Sequence, residues 1–287
     1  MAPSKKMHIV QENRPPVLGI IGSGGVATAM LEGLVAARLP VERVVILARE
    51  PGSQRTSALL ERSKRLGSRA YATQSLQDFL EPSPDVVVEA ASHGAVADYA
   101  VTILSRGIHF VPASLGAFCD SALYDACLDA CNVASGRLHI SNGAVGGLDM
   151  VRAAVLSGNA QICYTARKPP LAWEGSKAEE QVDLKKITSD HVLFSGSARM
   201  AARDYPRNAN VTAAIALAGL GFDNTEVELI VDPSIEENVH EIAVKSSGVK
   251  MVLRVHCLPS LENPRTSVIA GFSLARSVSS IFSKEVV

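Results

Sequence analysis

Val17-Leu18-Gly19-Ile20-Ile21-Gly22-Ser23-Gly24-Gly25-Val26-Ala27 decides the fold. An apolar run passes into Gly-x-Gly-x-x-Ala, the pattern in which a strand ends in a tight turn and a helix begins. Gly22 serves the turn, Gly24 lets backbone approach a pyrophosphate, and Ala27 permits close helix–strand packing. The free N–H groups and positive dipole end of the helix hold an anion without any cationic side chain. A glycine pattern alone is weak; here it sits between an apolar strand and a helical stretch at the head of an alternating domain. Gly22, Ser23, Gly24, Gly25 and Val26 are therefore assigned to a dinucleotide.

Outward from this loop, β-rich runs at Val17–Ile21, Arg43–Ala48, Asp85–Ala90, Ile108–Ala113 and Arg137–Ile140 alternate with helical stretches. The helices are expected at Gly25–Arg38, Ser53–Leu66, Ala95–Ser105 and Ser121–Val133. Val86-Val87-Val88 is apolar without alternation, which implies burial on both faces and a parallel sheet covered by helices. This is a Rossmann-type, doubly wound α/β pattern over residues 1–140. After Asn142-Gly143 the rhythm changes. A helix at Gly147–Leu156 is followed by strands at Gln161–Arg167, Val192–Ser195, Thr225–Val231 and Val249–Cys257, which predict a second, α+β domain over 141–266 with a mainly antiparallel sheet. The last helical run, Ser267–Phe282, is expected to pack back onto the first domain through Val268, Phe272, Ala275 and Val278.

Composition excludes several classes. The chain has 287 residues, 47% hydrophobic and 20% charged, with a formal net charge of -1. Neither nucleic acid nor an anionic membrane would be gripped by so balanced a surface. The segment before Pro16 has no apolar core of the secretory type, and the longest weakly polar run stops at Asp223, well short of a membrane span of about 20 residues. Five cysteines without scaffold spacing suit a reducing, cytoplasmic compartment. Cys127 and Cys131 lie one helical turn apart, but nothing nearby completes a metal site, so no metal is expected.

The second strand ends Leu47-Ala48-Arg49-Glu50. Arg49 could pair with the 2′-phosphate of NADP, while Glu50 leaves NAD open. Ala91 and Ser92 follow the strand ending at Glu89, at the carboxyl edge where doubly wound sheets bind ligands, and are assigned to the cofactor too. Glu89 itself either accepts from a ribose or hydrogen-bonds neighbouring backbone.

Gly22-Ser23-Gly24-Gly25, Val88-Glu89-Ala90-Ala91-Ser92, Ser114-Leu115-Gly116-Ala117, Gly143-Ala144-Val145-Gly146-Gly147-Leu148-Asp149, Lys168-Pro169-Pro170, Pro206-Arg207-Asn208-Ala209-Asn210-Val211, Asn238-Val239-His240 and Asn263-Pro264-Arg265-Thr266-Ser267 are each short. Together, and in register over nearly the whole chain, they resemble the L-aspartate dehydrogenase family. The resemblance implies NAD- or NADP-dependent oxidative deamination of L-aspartate to iminosuccinate, which hydrolyses to oxaloacetate and ammonia and can also feed NAD biosynthesis. It implies His240 as catalytic residue, with Ala144, through backbone, and Asn210, through its amide, at the cofactor. One departure is Asn142-Gly143-Ala144, where the family commonly has Ser-Gly-Ala.

The chemistry fits these residue types. Hydride leaves Cα of an amino acid only when the amine is neutral, so a group must take a proton near neutral pH, and histidine is suited to that. His93, just past a sheet strand, competes with His240 but suits a loop role. A dicarboxylate needs cations or clustered donors. Lys168 and Asn208 are the substrate candidates, with Arg167 and Arg207 beside them; Asn208 also suits a helix cap. A homodimer through an exposed face of the second sheet is expected. Two other functions compete: a weakly catalytic NAD(P)-binding sensor or interaction protein, and a reductase acting on another small carboxylate.

Overall fold

The computed structural model describes residues 14–67, 69–206, 209–258 and 267–283. The described residues fall into two compact units. One takes in the chain up to Ser114, Ser121–His139 and the chain from Leu274; the other takes in Leu115–Asp120 and Ile140–Ser273.

The first unit is built on five parallel strands, β1 (Val17–Ile21), β2 (Arg43–Leu47), β3 (Arg69–Thr73), β4 (Val86–Glu89) and β5 (His109–Pro112). Their order is β3-β2-β1-β4-β5. The chain winds outward from β1 in one direction and then restarts on its other side at β4. This makes the β1/β4 boundary the switch point at which ligands of doubly wound sheets bind. Val44–Ile46 and Val86–Val88 are fully buried, as strands covered on both faces must be. Helices α1 (Gly25–Ala36), α2 (Gln54–Ser63), α3 (Leu76–Leu80) and α4 (His93–Ser105) form the four connections, and α5 (Ser121–Val133) follows β5.

Three local differences from expectation have physical causes. The strand β3 and the short helix α3 arise in a polar stretch without period-2 or long helical patterning; β3 is an edge strand, half-exposed throughout, so it needs no apolar signature. Arg137–Ile140 does not extend the sheet as a strand and makes an isolated bridge, Leu138 to Phe110. The last helix, α9 (Val268–Phe282), enters the first unit's core through Leu274, Ala275 and Val278. Val268 and Phe272, expected on that face, stay exposed at 41% and 38%.

The second unit holds a mixed sheet ordered β10-β9-β6-β8-β7. Its strands are β6 (Gln161–Lys168), β7 (His191–Ser197), β8 (Glu226–Val231), β9 (Asn238–Lys245) and β10 (Lys250–Cys257). Only β6 and β8 pair in parallel; the other neighbours are antiparallel. Burial along β6 alternates strictly, with Ile162, Tyr164, Ala166 and Lys168 on the buried face. Helices α6 (Leu148–Leu156), α7 (Ala198–Asp204) and α8 (Ala209–Ala218) belong to this unit. Buried alanines of α8 allow close approach: a Cβ on Gly219, just past its end, would meet Ile162 of β6 and Val151 of α6. The opposite face, with Thr165, Glu241, Val252 and Arg254, is half-exposed or open. No helix among the described residues is long and apolar enough to cross a membrane.

Candidate active site

The glycine loop closes the carboxyl end of β1. Gly22 donates its N–H to Leu47 O at 3.0 Å and has φ 98°, and a Cβ there would lie 2.7 Å from Ala90 O. No side chain but glycine fits both constraints. Gly24 is the N-cap of α1, has no side-chain cap, and faces open space where a Cβ would stand. The first turn of α1 carries no acidic residue. Its leading N–H groups thus keep their capacity for an anion, and the cradle fits a pyrophosphate.

A contact not foreseen in the sequence fixes this loop. The hydroxyl of Thr56, fully buried on α2, lies 3.1 Å from Ser23 Oγ, 3.2 Å from Glu50 O and 3.0 Å from the N-cap hydroxyl of Ser53. The phosphate loop and the end of β2 are thereby tied together. Arg49 and Glu50 are both exposed at that end, open to a ribose or its phosphate.

Glu89 is fully buried, and its carboxylate serves backbone. One oxygen accepts from Ala91 N and Ser92 N, each at 2.7 Å, and from the Ser114 hydroxyl at 3.0 Å; the other accepts from Ser114 N at 3.0 Å. Burial pushes its pKa up, and these four bonds oppose the rise. Of the two roles the sequence left open, the backbone one is realised. Ala91 lies beside Gly22, where a Cβ would stand 2.9 Å from the Ala91 Cβ, and Ser92 caps α4 by accepting from Ala95 N at 3.2 Å. His93 is the first residue of α4 rather than part of a loop.

In the second unit the buried sheet face gathers the other candidates. His240 on β9 pairs directly with Ala166 of β6, so its ring shares a face with Tyr164 and Lys168. It is 5% exposed, and its Nδ1 lies 2.7 Å from the Tyr164 hydroxyl. Burial, and secondarily the Lys168 charge, push the imidazole pKa down to about 3, so the ring is neutral near pH 7. Lys168 is 6% exposed, and burial lowers its pKa to about 8. Its ammonium stands 5.6 Å from the centroid of the fully buried Trp173 ring, and Trp173 Nε1 donates to Lys168 O at 3.2 Å. A buried lysine and a neutral buried histidine on one sheet face, both with displaced proton affinities, mark this face as a functional-site candidate.

Ala144 lies at the turn that precedes α6. Gly143 has φ 61°, and Asn142 O accepts from Val145 N at 3.2 Å, so the Asn-Gly pair builds a turn as its chemistry dictates. Ala144 O accepts from the Cys257 thiol at 3.3 Å. Asn210, exposed on α8, uses its Oδ1 to accept from Gly116 N at 3.1 Å. Arg167 points to the other face of β6 and is engaged by Asp190 at 3.2 Å and Asp232 at 3.4 Å, which removes it from the carboxylate donors. Asn208, Arg207 and the Asn263–Thr266 motif lie outside the described residues. All five cysteines are free thiols, and among the described residues no cluster of three or more metal-ligating side chains occurs.

A chain with one doubly wound unit carrying an uncapped glycine loop and one α+β unit carrying a buried histidine and lysine falls in the class of two-domain pyridine-nucleotide oxidoreductases. Residues 149–281 match the family profile described as aspartate dehydrogenase, C-terminal, and residues 22–141 match that of the homoserine dehydrogenase NAD-binding domain. The chain is 38% identical over 260 residues to L-aspartate dehydrogenase of Ruegeria pomeroyi, covering 90% of this chain and 89% of that one. It is 36% identical over 262 residues to L-aspartate dehydrogenase of Polaromonas sp., covering 91% and 96%. Aspartate dehydrogenase of Thermotoga maritima shares the fold at TM-score 0.74 with 22% identity, covering 96% of this chain and all of that one. The chain belongs to the aspartate dehydrogenase family.

Proposed function

We propose that the protein is an NAD(P)-dependent L-aspartate dehydrogenase. It oxidises L-aspartate to protonated iminosuccinate while NAD(P)⁺ takes the hydride and becomes NAD(P)H, with release of one proton, and water then converts the iminosuccinate to oxaloacetate and ammonium. The carrying observation is the buried face on which neutral His240 and cationic Lys168 stand together.

The first unit is the dinucleotide-binding domain, holding the nucleotide through Gly22, Ser23, Gly24, Gly25, Val26, Arg49, Ala91 and Ser92. When bound, the nicotinamide supplies the hydride acceptor. The second unit is the substrate, catalytic and dimerisation domain, with Ala144 and Asn210 as further cofactor contacts. Lys168, assisted by Asn208, holds a substrate carboxylate, because an ammonium out of water binds an anion far more strongly than a solvated one does. His240 is the catalytic residue. Its outer ring nitrogen takes a proton from the ammonium or donates to the reacting group, according to which nitrogen carries its hydrogen.

The protein works as a cytoplasmic homodimer. Support for the dimer comes from the open face of the second sheet, where Val252, 63% exposed, stands on the edge strand β10. Assays in both directions, aspartate with either oxidised nucleotide and oxaloacetate plus ammonium with either reduced one, test the activity. No turnover with any combination overturns it.

A further inference from the structure

We propose that Tyr164 is the positioning residue of His240: its hydroxyl donates to Nδ1 and holds the imidazole in the tautomer with hydrogen on Nε2, so the ring meets the substrate as a hydrogen-bond donor. The proposal rests on the dehydrogenase function above for its catalytic meaning, but the tautomer follows from the structure alone.

The pair is held from both sides. Tyr164 Oη and His240 Nδ1 are 2.7 Å apart, and the two rings are nearly parallel, 17° between planes with centroids 6.0 Å apart. Tyr164 sits two residues from Ala166, which faces His240 directly across β6 and β9, so the sheet register sets the approach. Both residues are almost completely buried, at 1% and 5% exposure. Burial also keeps both groups neutral, raising the phenol and lowering the imidazole.

Geometry alone lets either atom donate; hydrogen-bond satisfaction chooses. Among the described residues His240 is the one partner of the Tyr164 hydroxyl. If Nδ1–H donated to Oη, the phenolic hydrogen would have no acceptor in a buried site, and an unsatisfied buried donor is costly. If the phenol donates, its hydrogen and the Nδ1 lone pair are both satisfied. The ring hydrogen then resides on Nε2, which has no partner among the described residues and is left for the substrate. In this tautomer His240 donates to a carboxylate oxygen or to the imine nitrogen, and it is not the group that takes the ammonium proton.

Long-range ¹H–¹⁵N spectra of the full chain, labelled on the histidine rings, test this without turnover. The His240 signals are identified by their loss in His240→Gln. The expected spectrum shows an unprotonated Nδ1 and a protonated Nε2. In Tyr164→Phe the two shifts move toward each other as the tautomers mix, and kcat falls about tenfold with KM nearly unchanged, the loss of one hydrogen bond. A protonated Nδ1 in the unsubstituted protein overturns the proposal, as does a Tyr164→Phe variant with unchanged spectrum and kcat. Should Tyr164→Phe not fold, the spectrum of the unsubstituted protein still decides the tautomer. An inactive protein with the expected spectrum overturns the dehydrogenase function and leaves the tautomer standing.

Discussion

Glu89 takes both the backbone N–H and the hydroxyl of Ser114, each at 3.0 Å, with a carboxylate that is fully buried. With its bonds to Ala91 and Ser92, one acidic side chain shapes two loops at the switch point of the sheet. Glu89→Gln keeps the volume but replaces one acceptor by an NH₂ that must face an N–H or O–H donor. We expect a loss of about 1–3 kcal/mol in urea unfolding, together with weaker NADH binding by fluorescence titration. Unchanged values for both would show that the bonds do not order the loops.

The loop glycines separate geometry from binding. Gly22→Ala places a Cβ 2.7 Å from Ala90 O at φ 98°, and should destabilise the protein by more than about 1 kcal/mol. Gly24→Ala meets nothing within 4 Å, so stability should hold while the added methyl blocks the backbone's approach to the pyrophosphate. Calorimetric unfolding and nucleotide titration of both variants check the contrast.

Arg49 is exposed at the end of β2 with Glu50 beside it. Arg49→Ala should weaken NADPH about tenfold while leaving NADH within about twofold, since only the 2′-phosphate uses the guanidinium. Equal losses for the two nucleotides would remove Arg49 from the ribose site.

On the second sheet, His240→Ala should lower kcat by about 10²-fold or more with nucleotide affinity intact. Lys168→Met should act differently, raising KM for aspartate most and removing the basic limb that a group titrating at about 8 imposes on the rate profile. A profile unchanged by Lys168→Met would detach the lysine from substrate binding.

Acid should weaken the fold through two half-buried histidines whose proton affinity is lowered on folding. His139 Nε2 is 3.1 Å from His109 Nδ1 in the first unit, and burial, then the charges of His109 and Arg137, lower its pKa to about 4. His109 is lowered by burial and Arg137, against Asp85. Between the ordinary value of about 6.5 and about 4, the unfolded chain binds more protons than the folded one, so the stabilisation is complete above that window and is lost as pH falls through it. His139→Gln should flatten the fall of the urea midpoint over this range. A slope identical to the unsubstituted protein would mean the pair does not titrate as described.

The doubly wound half was legible because its signals are local. Valine runs without alternation, a glycine loop and helices of crossover length all arise from neighbouring residues. The half-exposed edge strand β3 carried no such signal, and the β9 strand that bears His240 was hidden in a segment read only as a motif. Among candidate residues, the phosphate-loop glycines could be argued from turn geometry, whereas His240 and Lys168 needed a family resemblance. Arg167 and Lys168 are adjacent and chemically alike, and nothing in their identity told which would be buried. Period-2 alternation along β6 assigns them to opposite faces, and the sheet's cover decides which face loses water.

By itself the sequence determined the parallel sheet, the turn at Gly22, the uncapped start of α1 and the second, mainly antiparallel domain, because each follows from backbone geometry and the burial of apolar runs. Tertiary structure alone decided that Thr56 braces the phosphate loop, that Glu89 serves backbone, and that Tyr164, Lys168 and His240 share one buried face. Those relations include contacts between residues 25, 33 and 76 positions apart, and pairing across strands creates the low-dielectric setting that moves the proton affinities of Tyr164, Lys168 and His240.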